Sequence, residues 1–140
     1  MFDNAILTKI SNAAVGFAKI CIEKESFLPF AVRLNAKNEA TINVPKSMKT
    51  DVTREELKKY WKHELEASLV NADILAVCTV CDVRLQDEER RPAMLMHIEN
   101  IEGESWDLLH YYERNGAETV ITEVQCDVSA GWLFPSKSPS

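Results

Sequence analysis

Three histidines, His63, His97 and His110, are the side chains best suited to proton transfer or metal ligation near neutral pH. Their neighbours decide which chemistry is open to them. His63-Glu64 is followed at the fourth position by Ala67, so the zinc-protease helix signature is not there, and His63 reads as a surface residue. Cys78-Thr79-Val80-Cys81 has redox or metal spacing. It lies in a strand-like run, however, where residues three apart point to opposite faces, about 10 Å from each other. A thioredoxin-like pair needs a helix N-terminus to lower its thiol pKa, and a zinc site needs a second pair. The four cysteines, Cys21, Cys78, Cys81 and Cys126, therefore read as free packing thiols. The four glycines (Gly16, Gly103, Gly116, Gly131) are isolated, which rules out a P-loop or a dinucleotide-binding fingerprint. No serine sits in a nucleophile elbow. Neither a metal nor a cofactor is expected.

His97 and His110 depend on the elements that carry them. From Phe2 to about Glu25, Phe2, Ile6, Ile10, Ala13, Phe17 and Ile20 recur at spacings of three and four, the stripe of a helix lying on a sheet. Leu28, Phe30, Val32 and Leu34 alternate, as do Ala40, Ile42 and Val44 after Asn35-Ala36-Lys37-Asn38, which predicts a hairpin. Pro29 has no amide hydrogen, so the first strand should begin at an edge or at its own end. Thr53 and Glu56 form a capping box. The second helix should run from there to about Asn71 with Leu57, Trp61, Leu65 and Leu69 buried and Tyr60 at the margin. Glu55 to Lys59 and Lys62 to Glu66 then make exposed pairs.

Ile74 to Val83 is almost continuously apolar and β-branched, the pattern of a central strand that needs cover on both faces. A charged loop, Gln86 to Arg91, leads to a strand at Ala93 to Ile101. The turn Glu102-Gly103-Glu104-Ser105 leads to one at Trp106 to Arg114, and Asn115-Gly116 suits a two-residue hairpin turn before Ala117 to Val128. The expected fold is α+β: an antiparallel sheet of about six strands in the order α-β-β-α-β-β-β-β, with both helices on one face. Residues 1–134 should form one domain, and 135–140 a disordered tail.

With a turn at Glu102 to Ser105, Ile101 faces Trp106, His97 faces His110 and Leu95 faces Tyr112. The following strand sets Ile121 opposite His110 and Glu123 opposite Leu108. One face then gathers His97, His110, Glu99, Glu123, Trp106 and Tyr112. The other, with Met94, Met96, Ile98, Leu109, Tyr111, Val120, Val124 and Cys126, becomes the floor for the helices. A one-residue slip would dissolve the cluster.

Composition narrows the partners. A chain of 140 residues, 46% hydrophobic, can bury a core without staples. Its 22 acidic against 16 basic residues give a net charge of −6, which repels phosphate backbones and anionic lipid. Lys58, Lys59 and Lys62 are interleaved with Glu55, Glu56, Glu64 and Glu66, a solvated helix face rather than a basic patch. The start Met-Phe-Asp-Asn lacks a secretory pattern, and no window is expected to approach a membrane span. The expectation is a cytoplasmic protein with no nucleic-acid or membrane partner.

Phe27-Leu28-Pro29-Phe30-Ala31-Val32-Arg33-Leu34, a polar turn and Glu39 resemble the opening hairpin of small uncharacterised bacterial proteins that carry an F-x-P-F run. Asn38 stands where that family would have glycine. The resemblance implies a bacterial origin and a cytosolic binding or immunity-type role, and it transfers no catalytic residue. Together these features predict a non-enzymatic homodimer or partner-binding module using the face around Trp106, His110 and Tyr112, with docking of the tail Trp132 to Phe134 as the rival cover. The alternative is a small enzyme or ligand-binding protein in which His97 or His110 is a general base and Glu99 or Glu123 orients it. A concave cavity at those histidines would favour the alternative, and a flat face a partner.

Overall fold

The computed structural model describes residues 4–23, 29–45, 54–71, 73–84, 92–115, 118–129 and 131–133. Helix α1 (Asn4–Glu23) precedes strands β1 (Phe30–Asn35) and β2 (Ala40–Asn43). Helix α2 (Arg54–Asn71) follows, then β3 (Ile74–Arg84), β4 (Pro92–Asn100), β5 (Ser105–Asn115) and β6 (Glu118–Val128). The strands form one antiparallel sheet in the order β2-β1-β3-β4-β5-β6. The expected α+β class and element order hold. Thr53, Gly116, the loop Gln86 to Arg91 and the tail 135–140 lie outside the described residues, and with them the capping box, the Asn115-Gly116 turn, the charged loop and the disordered tail.

Alternation along the strands builds two separate cores. Phe30, Val32 and Leu34 of β1, Ala76, Cys78 and Val80 of β3, Met94, Met96 and Ile98 of β4, and Leu108 of β5 are buried with Ile10, Ala14 and Ala18 of α1. On the other face Ala31, Ile74 and Val77 are buried with Trp61 and Leu65 of α2 and with Leu133 beyond β6. The helices thus lie on opposite faces, not on one. The physical reason is the two-sided apolarity of β3: Ala76, Cys78 and Val80 point one way and Val77 the other, so each face needs its own cover. The long connection from β2 to β3 carries α2 to the face that α1 leaves open.

The buried stripe of α1 is rotated from the expected one, to Ile10, Ala14, Ala18 and Ile22, leaving Ile20 48% exposed. Ala5–Glu23 is also long and apolar enough to cross a membrane by length and composition, which corrects the expectation that no window approaches a span. In α2, Trp61 and Leu65 are buried as expected, and the side chain of Leu69 is outside the described residues. Pro29 stands just before β1, an internal strand. In the β1–β2 turn, Asn38 has φ 67°, the left-handed conformation for which glycine is the default and which asparagine tolerates.

Candidate functional site

The turn between β4 and β5 decides which side chains meet. Asn100 N–H donates to the carbonyl of Glu104, Gly103 N–H donates to the carbonyl of Asn100, and Gly103 has φ 91°. This is a three-residue loop closed by a left-handed glycine, shorter than the expected turn. Trp106 consequently faces Ile98, His97 faces Asp107 and His110 faces Met94. The shift is three residues, an odd number, so β5 turns over relative to β4. Trp106, His110 and Tyr112 therefore join the α1 side, where Trp106 and Tyr112 pack on the core and His110 is buried. The expected six-residue face does not form: His97 and Glu99 stay together on the α2 side, and Trp106, His110 and Tyr112 are opposite. From His110 onward, Glu123 is the register partner of His110 and Ile121 that of Tyr112, a shift of two from expectation, whereas before the irregularity at Leu109/His110 Leu108 pairs with Cys126, a shift of three. The side chain of Glu123 lies outside the described residues. His63 is exposed, as expected.

What His97 does meet was hidden in the sequence. Its Nδ1 lies 2.6 Å from Asp107 Oδ1 and its Nε2 lies 2.6 Å from Glu99 Oε2. A hydrogen must sit in each contact, so a ring with hydrogens on both nitrogens satisfies both carboxylates. Glu99 is 3% exposed, and the same Oε2 accepts the amides of Trp132 at 2.6 Å and Leu133 at 2.8 Å. A buried carboxylate is tolerable only with such donors around it. Trp132 stacks on His97 with ring centroids 4.8 Å apart and 19° between planes, and the Lys58 ammonium lies 5.8 Å from the Trp132 ring centroid. Glycine suits the return at 131, since a Cβ there would come within 3.1 Å of Glu99 Oε1 and crowd the carboxylate.

Under α2 this arrangement borders a cavity of about 170 Å³. Leu57, Lys58 and Trp61 of α2 form one wall, while Thr79, Cys81, Leu95, His97 and Asp107 of the sheet, with Ser129 and Trp132, complete it. Two of its lining residues carry buried polar atoms with no hydrogen-bond partner among the described residues: Trp61 Nε1 and Ser129 Oγ. Cys78, on the opposite face from Cys81 as strand geometry requires, is fully buried, and burial pushes its thiol pKa up.

Neither nitrogen of His97 turns a lone pair towards the cavity. The expected orienting carboxylate, Glu99, is in place, but Asp107 takes the nitrogen that a general base would use. Comparison with protein-family models, curated proteins and solved structures finds no match to this chain, so the resemblance carried by the Phe27 to Leu34 hairpin rests on sequence alone.

Proposed function

We propose that this chain is a binding protein whose site is the cavity between α2 and the sheet, taking a small molecule without transforming it. The observation that carries this reading is the pair of orphaned polar atoms, Trp61 Nε1 and Ser129 Oγ, on two residues that line the same concavity. Buried polar groups are nearly always hydrogen-bonded, and an indole N–H can be satisfied only by an acceptor. Apolar walls with a few convergent polar groups are the composition of ligand pockets. The volume is sufficient as well, because a cavity of roughly 150 Å³ admits a single benzene ring.

The test is a fragment screen read on the indole N–H resonances of the three tryptophans, for the intact chain and for Leu95→Phe, which adds bulk at the cavity wall. Fragments that move the Trp61 signal in the intact chain and not in the variant support the site. Shifts that survive Leu95→Phe, or no fragment moving that signal at millimolar concentration, overturn it.

A second reading, self-association or protein binding, is supported by β6, an 11-residue strand that ends the sheet among the described residues, with Val128 82% exposed at its end. Long outer strands with exposed apolar residues invite pairing with another chain. Solution mass by light scattering decides it: a dimer that Val128→Lys converts to a monomer supports this reading, and a monomeric intact chain removes it.

A further inference from the structure

Resting on the cavity reading above, we infer that the site is built for a small zwitterion of the amino-acid class, its carboxylate held by Lys58 and Trp61 and its ammonium by Asp107. The inference comes from the charges and hydrogen-bond capacities on the cavity wall. Lys58 and Trp61 are three residues apart on α2 and so share one face of the helix. Lys58 carries an ammonium and Trp61 a buried indole N–H with no partner among the described residues, groups that can only donate. Glu55 forms an exposed ion pair with the Lys58 ammonium at 4.0 Å, beyond hydrogen-bond distance, so the ammonium keeps donors for a closer acceptor. A ligand carboxylate is the acceptor that serves both donors, and the Ser129 hydroxyl can add a third hydrogen bond.

The opposite wall carries the complementary charge. Glu99 and Asp107 are two carboxylates around one imidazole ring, so the trio keeps one net negative charge when the ring bears both hydrogens. Glu99 is sealed beneath the returning chain by the amides of Trp132 and Leu133. Of the two carboxylates, Asp107 is the one that lines the cavity, with its side chain 33% exposed and one oxygen committed to His97. A carboxylate has acceptor capacity beyond a single hydrogen bond, which leaves Asp107 able to receive an ammonium. A simple organic acid would satisfy Lys58 but bring a second negative charge near Asp107, and a simple amine would do the reverse beside Lys58. A molecule carrying both groups matches both ends. Elsewhere on the cavity wall, Leu57, Leu95 and the rings of Trp61 and Trp132 offer an apolar surface for a branched or single-ring side chain.

The experiment titrates the intact chain with L-leucine and L-phenylalanine, and with the one-headed analogues of each: isocaproate and isoamylamine, hydrocinnamate and phenethylamine. Binding is measured by calorimetry and by the Trp61 indole N–H resonance. At least one amino acid should bind about tenfold or more tightly than both of its analogues, the gain expected from one added charge-assisted hydrogen bond. Lys58→Met should erase its advantage over the amine, and Asp107→Asn its advantage over the acid, with circular dichroism confirming that each variant is folded. If acid or amine binds as tightly as the amino acid, the zwitterion assignment falls while the cavity reading stands. If none of the six compounds binds but neutral ring fragments still move the Trp61 signal, the assignment again falls alone. If nothing moves that signal, both fall.

Discussion

The two faces of this sheet are covered in different ways. On the α1 face the centre is a continuous apolar layer, Phe30, Val32, Leu34, Cys78, Met94, Met96 and Ile98 under Ile10, Ala14 and Ala18, and its stability is that of close packing. On the α2 face, Trp61, Leu65 and Val77 form a smaller apolar cluster. Beside it Glu99, His97 and Asp107 bring charge into the sheet, and a short return of chain, Gly131 to Leu133, is tied down by hydrogen bonds to a single carboxylate oxygen. Buried ionic groups add little net stability and are costly when one partner is removed. Their concentration on one face, around a cavity, therefore separates the part of the sheet that holds the fold from the part available for recognition.

That contrast breaks most sharply at Phe30, which is fully buried and meets Phe17 edge-to-face at a centroid distance of 4.8 Å. Phe30→Ala should lower the unfolding free energy by about 3–5 kcal/mol, measured by denaturant titration. A loss under about 1 kcal/mol would mean that the α1 face is not the main core.

Glu99→Gln tests the other face with a smaller change. The amide keeps the shape and one acceptor oxygen, but it cannot serve the imidazole and two backbone amides with a full charge. The expected loss is about 1–3 kcal/mol, accompanied by faster hydrogen exchange at the Trp132 and Leu133 amides while the α1 face keeps its protection. Uniformly faster exchange across both faces would show that the strap is not a separate unit.

The sequence made the α1 face far more legible than the site. Alternation at Met94, Met96 and Ile98 and the helical spacing around Ile10 and Phe17 are strong periodic signals, and β3 announced that both faces need cover. His97 and Glu99 were recognisable as neighbours because residues two apart on a strand share a face. Asp107 was not, because its place depends on one three-residue loop, and an error of three residues there exchanged it for His110. The isolated Gly103 was the available signal: a left-handed glycine closing a tighter loop than the four residues read as the turn. Trp132 and Leu133 were legible as an apolar segment that could dock on the sheet. Their anchoring on Glu99 was not, since it runs through backbone amides that any residue types would supply. Lys58 read as part of a solvated helix face, and only the fold turns it over the Trp132 ring.

The smallest effect is expected from a comparison within one strand. Cys78 and Cys81 stand three residues apart on β3 and so sample the two faces directly: Cys78 is fully buried against α1 and its thiol pKa is raised by burial, whereas Cys81 is half-buried on the cavity wall. Thiolate is the reactive form, and a thiol enclosed in the apolar core meets neither base nor reagent. With iodoacetamide and peptide mapping by mass spectrometry, Cys81 should be alkylated in the folded chain, while Cys78 should remain unmodified until denaturant unfolds the whole domain. A ligand seated in the cavity should slow alkylation of Cys81 and leave Cys78 unchanged. Equal reactivity at the two positions would place the cavity face and the core face in one packing environment, and the distinction between a holding face and a recognising face would be lost.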